Sequence, residues 1–290
     1  MVNIGLLRAQ IKSGLRNVRC LVVVALSLFI VGFQWWSIRH LGYRIHDHES
    51  TFLDEVLLFS PDGSGTALYL FLFPFLAALV GGSVLATEKQ SHRLELLEAR
   101  LNYGVVERTS LCSGFLLGAF GGVLPFLTSI IFCAIRNPHL SFIDGVMNSD
   151  AKAASSQYIL VWSEGWVYPI YRYNQVLCIA TVGLLVAVLS GLFTCLAIAS
   201  SPFMTHKYVE VLVPTAFLLL WWAFPVLVPH PGHAEDINPI LYLQVNGFTA
   251  SGSTLANLIG VAVTLIGLPL IVVMPVSYTH LRAHETCADL

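Results

Sequence analysis

The stretch FPFLAALVGGSVLATEKQSHRLELLEARLNYGVVERTSLCSGFLLGAFGGVLPFL, Phe73 to Leu127, decides how this chain is read. It joins two apolar spans through a charged segment. The first span, 66–86, carries no Asp, Glu, Lys or Arg, and neither does the second, 111–135. Each is long enough to cross a hydrocarbon core about 30 Å thick. Between them Glu88, Lys89, Arg93, Glu95, Glu98, Arg100, Glu107 and Arg108 crowd one connection. Within it Leu94, Leu97 and Leu101 recur at helical spacing, which predicts a short amphipathic helix along or just under the membrane. A rigid charged helix tying two spans together on one side offers a grip on both.

The composition agrees with a membrane protein. Of 290 residues, 56% are hydrophobic and 11% charged, whereas a soluble domain carries about 25% charged residues. A formal net charge of -2 gives no reason to expect a nucleic-acid partner. Cys20, Cys112, Cys133, Cys178 and Cys195 fall inside or at the edge of apolar spans, where they behave as small hydrophobes. Their spacing matches neither a disulfide framework nor a zinc pattern.

Working outward, residues 1–19 read as a basic amphipathic helix. Ile4, Leu7, Ile11, Leu15 and Val18 step along one face, and Arg8, Lys12 and Arg16 along another. That pattern suits a helix in the headgroup plane with its cations toward anionic lipid. A cleaved signal peptide is not expected, because no small-residue cleavage site follows the apolar run. Spans are predicted at 20–36, 66–86, 111–135, 175–200, 208–228 and 254–274. The fold class is therefore all-α and polytopic, with six transmembrane helices preceded by the interfacial helix. The Trp35–Trp36 pair ends the first span at an interface. A polar loop to Gly65 follows it. Between Arg136 and Asn174 an aromatic patch, Trp162, Trp166, Tyr168, Tyr171 and Tyr173, suits the membrane surface on a short helix or re-entrant turn. The tail 276–290 begins VSYTHLRAHET and resembles a translated sequencing-library adapter. It is expected to be non-native, so His280, His284, Glu285 and Cys287 carry no functional weight.

Charge sets the orientation. With the amino terminus inside, the inner segments 1–19, 87–110 and 201–207 hold four, four and one Lys or Arg. The longer outer loops 37–65, 136–174 and 229–253 hold two, three and none. The positive-inside rule then places the amino terminus and the charged helix in the cytoplasm.

The chemistry is sparse. No predicted span holds a charged residue away from its ends, Glu210 being the nearest case; this disfavours ion-coupled transport, which needs buried ionisable groups or broken helices. Gln34, Thr128, Ser129, Ser190 and Thr194 read as helix-packing groups. Pro74, Pro125, Pro214, Pro225 and Pro269 bend spans, while Gly81–Gly82 and Gly121–Gly122 allow close helix approach. His46 and His48 with Asp47 and Glu49, or His230 and His233 with Glu235 and Asp236, could ligate a metal, yet neither spacing fixes a tetrahedral site and solvated loops explain them as well. No H-E-x-x-H, G-x-S-x-G or G-x-x-x-x-G-K-[ST] occurs. If ATP drives this protein, another chain must bind it.

Over Phe73–Leu127 the chain resembles the membrane subunits of bacterial ABC-2 type transporters, the permease half of ATP-binding-cassette exporters. There a span of the FPFLAALVGGSVLA kind meets an acidic residue, a short cytoplasmic helix, an Arg-x-x-Tyr element and a span with a central proline. Here Glu88, Arg100, Tyr103 and Pro125 stand at those places. The likeness extends more loosely over 1–275, including NPILYLQ from Asn238. Many relatives have a glycine where this chain has Ser91 and His92. The resemblance implies a permease of the bacterial cytoplasmic membrane that pairs with a second permease subunit, equal or similar. It holds no cofactor of its own and works with a separate ATPase that hydrolyses ATP. It also implies that Glu88, Arg93, Leu94, Leu97, Glu98, Arg100 and Tyr103 form an ATPase-coupling helix. A solvated charged face is the plainer reading of those charges. A membrane anchor or immunity-type protein and an intramembrane hydrolase are the competing functions, the last lacking polar catalytic residues in its spans.

Overall fold

A computed structural model describes residues 2–40, 52–60, 63–90, 93–136, 161, 165–204, 208–227, 237–246 and 254–288. The described residues are helical apart from short turns and one isolated antiparallel bridge, Val161 to Asn246. In order, the helices are α1 (Ile4–Arg16), α2 (Val18–His40), α3 (Gly65–Gly81), α4 (Val84–Gln90), α5 (Arg93–Arg100) and α6 (Tyr103–Arg136). They are followed by α7 (Tyr168–Tyr173), α8 (Gln175–Ser200), α9 (Val213–Leu227), α10 (Pro239–Tyr242) and α11 (Thr254–Ala288).

Among the described residues, five helical stretches are long and apolar enough to cross a membrane: Val18–His40, Gly65–Glu88, Gly104–Arg136, Gln175–Phe203 and Thr254–Val273. The chain is thus an all-α protein with the composition of a multi-pass membrane protein. The boundaries differ from expectation where polar residues tolerate helix. The first stretch runs past Trp36 to His40, and the third begins several residues before Leu111, because the Glu107–Ser110 turn is wound into α6. The predicted span 208–228 is shorter as helix. A 3-10 turn, Val209–Val211, precedes the 15-residue α9, which rises only about 22 Å at about 1.5 Å per residue. Helix α11 continues beyond the apolar stretch to Ala288.

The bundle is built on the pairing of α6 with α8, its most extensive helix contact. Gly114, Gly118 and Gly122 of α6 meet Ile198, Thr194 and Ser190 of α8, and a Cβ at any of the three glycines would overlap those side chains. Helix α3 closes on the same seam, where a Cβ on Gly81 would stand 2.6 Å from the Gly114 carbonyl oxygen. Small residues at such spacing let backbones approach where lipid supplies no hydrophobic drive. Phe73, Phe193 and Phe217 continue the core toward α9 as a run of edge and tilted ring contacts.

Helix α2 holds the start of α3. The Gln34 Oε1 accepts from the Gly65 and Thr66 amides at 2.7 and 3.2 Å, and Ser37 Oγ accepts from the Ser64 amide at 3.0 Å. Amides at a helix start lack intrahelical partners, and a buried one left unpaired costs about 1–3 kcal/mol. Gln34 therefore does more than pack. Elsewhere hydroxyls bond within their own helix, one turn back: Ser27 to Val23, Thr128 to Leu124, Thr181 to Leu177, Thr194 to Ser190 and Thr264 to Gly260, each a carbonyl acceptor.

Residues 52–60, the described part of the connection from α2 to α3, are not the polar loop expected. Phe52, Leu53, Val56, Leu57, Leu58 and Phe59 are buried in the end of the bundle opposite α1. Asp54, Glu55 and Ser60 mask this apolar run in the sequence, and it is too short to read as a span. Leu57 N–H donates to Ser129 Oγ at 3.0 Å, Leu58 N–H to Thr66 Oγ1 at 3.2 Å, and Phe59 stacks on Phe126 at 6.4 Å. Non-helical backbone at membrane depth persists only when protein satisfies it. Leu58 is left-handed, at φ 73°, a conformation that costs a non-glycine residue about 1–2 kcal/mol. The 237–246 segment covers it, with Val245 N–H donating to the Leu58 carbonyl at 3.2 Å and Asn246 Nδ2 to the Ser60 carbonyl at 3.3 Å. From the aromatic patch, α7 carries the buried Tyr171, and Trp166 Nε1 donates to the Tyr242 carbonyl at 2.8 Å. Burial pushes the Tyr242 phenol above its usual range, so it stays neutral. Trp162 lies outside the described residues.

The seam makes a direct prediction. Gly118→Ala will destabilise the detergent-solubilised protein by about 1–3 kcal/mol, read as a lower Tm, and Thr194→Gly in the same chain will recover part of the loss. Equal Tm for parent and Gly118→Ala would show that the seam is loose.

Candidate functional site

The charged connection lies at the same end of the bundle as α1. Here the described part of the helix expected from Glu88 to Tyr103 falls in α4, which holds Glu88, and α5, which holds Arg93–Arg100. Helix α3 ends at Gly81–Gly82; a Cβ on Gly82 would stand 2.6 Å from the Ala78 carbonyl and 2.9 Å from Ala197 Cβ. The chain then resumes as α4, and α5 follows as an eight-residue helix. Residues 91–92 between them lie outside the described residues. Asn102 starts α6: its side-chain oxygen accepts from the Gly104 amide at 3.0 Å and its carbonyl from Val105 at 2.8 Å.

The proposed coupling residues differ in exposure. Glu88 is half-buried. It lines a polar cleft of about 50 Å³ with Gln10, Ser13, Asn17, Arg19, Ser83 and Thr87. Arg93 and Arg100 are exposed at the two ends of α5, while Leu94 and Leu97 are partly covered. Leu96, which the sequence reading passed over, is 67% exposed. The side chains of Glu98 and Tyr103 lie outside the described residues. Glu88 therefore belongs to a junction within the bundle, with Arg93 near enough to act on its carboxylate, whereas Arg100 and Leu96 face outward.

Helix α1 presents Arg8, Lys12 and Arg16 outward, as their spacing implies. Its apolar stripe is divided: Ile11 packs on the core, while Ile4 and Leu15 are 65% and 45% exposed. What fastens α1 is polar. Gln10 is buried and bridges two hydroxyls of α6, its Nε2 donating to Ser110 Oγ at 3.0 Å and its Oε1 accepting from Ser113 Oγ at 2.8 Å. The Asn3 amide donates to Thr109 Oγ1 at 3.1 Å, and Gly14 lies against Leu117, where a Cβ would come within 2.6 Å of a methyl. None of these partners stands out in the sequence, although Gln10 lies nearly opposite the charged face of α1 and Ser110 and Ser113 share one face of an apolar run.

Arg19 is a second fastening. Its guanidinium donates to Ser83 Oγ at the α3–α4 joint and sits 4.4 Å from the ring centroid of Tyr208. It thereby joins the start of α2, the break after α3 and the approach to α9, where Glu210 is also buried. By sequence it counted only as an inner charge.

The histidine clusters of the two loops lie outside the described residues. Among the described residues no three His, Cys, Asp or Glu side chains gather as a metal would need. An apolar groove of about 500 Å³ between α9 and α11, with Trp221, Phe224 and Leu268 in its lining, opens toward the apolar surface of the bundle.

Arg19→Met will lower the Tm of the solubilised protein by several degrees, and Arg19→Lys will restore part of it, since an ammonium keeps the charge but not the planar fork. An unchanged Tm in Arg19→Met would remove the fastening. No family model matches the chain, and no curated protein or solved structure matches it significantly.

Proposed function

We propose that this chain is the permease subunit of an ATP-driven ABC exporter in a bacterial cytoplasmic membrane. In this reading the bundle makes six crossings, with α9 and its flanking turn as the fifth. The amino terminus lies in the cytoplasm, where the positive charges of the inner segments hold it. A second permease subunit, identical or similar, completes the pathway. ATP is bound and hydrolysed by a separate ATPase.

The observation that supports it best is the placement of α5. It is a short helix between the second and third apolar stretches, with two exposed guanidinium groups and an exposed leucine. An acidic, partly apolar groove on an ATPase is the complementary surface. A push on α5 passes into α6 through a two-residue link, Leu101–Asn102, and α6 is packed to α8 through the glycine seam. The drive is therefore mechanical, and Glu88 serves in it as a joint residue and not as a direct contact.

Co-expression with an ABC ATPase from the same genome, first any whose reading frame adjoins this one, tests the reading. The parent will co-purify with that ATPase. Arg93→Glu with Arg100→Glu will lower recovery at least about tenfold, the effect of losing about 1.4 kcal/mol of binding, while the amount in the membrane is unchanged. Charge reversal at both Glu88 and Arg100 will abolish transport without preventing insertion. Undiminished recovery and transport in these variants would remove α5 from the interface.

A further inference from the structure

Helix α6 is held at both ends by different partners. At the α1 end Thr109, Ser110, Ser113 and Leu117 carry α1 through Asn3, Gln10 and Gly14. At the other end Phe126, Ser129 and Arg136 carry the buried 52–60 segment. Phe126 stacks on Phe59, Ser129 Oγ accepts from the Leu57 amide, and Arg136 Nη1 lies 3.2 Å from Glu55 Oε2. The Arg136 guanidinium is also 5.4 Å from the Trp35 ring centroid, with Arg39 at 4.6 Å from the same ring. Between the two sets of partners runs the glycine stripe facing α8.

We infer that α6 acts as a push rod: displacement of its inner end, beside α1, releases the 52–60 segment at the far end and uncovers the bundle there. Three features carry this. Beside its apolar packing, the segment is tied to α6 by discrete contacts, an ion pair, a hydrogen bond and a ring stack, that break over a small shift. Leu58 is left-handed, so its neighbours and not its own preference hold the segment in place. And the backbone of the segment is satisfied from three sides, by Ser129 of α6, Thr66 of α3 and Val245, so losing one partner leaves a buried polar group to be paired again elsewhere. The inference rests on the permease reading, in which the ATPase displaces the inner end.

Accessibility of a buried thiol tests it in purified full-length protein in nanodiscs, where both faces meet the reagent. Val56→Cys is a near-isosteric reporter at a fully buried position outside the hydrogen bonds described. A charged methanethiosulfonate reagent will modify it slowly in the parent. Arg136→Gln will raise the rate about tenfold or more, and the exchange Glu55→Arg with Arg136→Glu will return it toward the parent. Gln10→Met and Thr109→Val alter only the inner fastening, and Ser113 is about 24 Å of helix from Ser129 at about 1.5 Å per residue. They will raise the same rate about fivefold. If Gln10→Met and Thr109→Val leave the rate at the parent value while Arg136→Gln raises it, the latch is local and the push rod is overturned. An unchanged rate in Arg136→Gln overturns the latch itself. A rise matched by modification of the buried Cys178 is general unfolding and counts against the inference. Failure of the ATPase to co-purify would sink the permease reading while leaving these rates as they are, so the two failures are distinguishable.

Discussion

The close approach of α6 to α8 is the constraint on which the rest of the bundle depends. In lipid, apolar side chains gain little by leaving the hydrocarbon for one another, so helices associate through tight packing and satisfied polar groups. Gly114, Gly118 and Gly122 supply the first by accepting Ile198, Thr194 and Ser190 against bare backbone. Tyr69 then reaches from α3 to donate to the Gly122 carbonyl at 2.7 Å. Removing the glycines would push α8 away and open the floor under α3. The peripheral elements, α1, the α4–α5 connection and the 52–60 segment, are all positioned relative to α6 once that pair is fixed.

Polar side chains do the attaching. Gln34 receives the first amides of α3, Gln10 joins α1 to two serines, and Arg19 gathers three elements at one joint. Each interaction is modest on its own, about 0.6 kcal/mol for a typical interhelical hydrogen bond in a membrane protein. Their number is small, and each sits where a chain segment enters or leaves the apolar region. The outcome is a bundle whose middle is packed by shape and whose two ends are tied by identifiable groups.

Much of this was legible in the sequence because apolar length is a strong signal. A run without charge between Thr66 and Ala86 has few alternatives to crossing a bilayer. The outward cations of α1 followed from helical spacing in the same way. Tertiary partners were not legible. The apolar run at 52–59 is interrupted by Asp54 and Glu55, so it reads as loop until Arg136 and Ser129 are seen to satisfy it. Nor could periodicity separate Glu88 from Arg100: both are charged residues on one connection, yet one faces a cleft in the bundle and the other faces out. Gly114 and Gly118 went unremarked because a glycine's role depends on what lies opposite.

The hydroxyls bonded to their own helices bear on biogenesis. Ser27, Thr128, Thr181, Thr194 and Thr264 each satisfy themselves one turn back. A nascent helix carrying such groups enters hydrocarbon without an unsatisfied donor and without waiting for a later helix to accept from it. Gln34 differs, because its acceptors' partners, the Gly65 and Thr66 amides, are synthesised only after α2 is complete. Those two bonds form only once α3 stands beside α2.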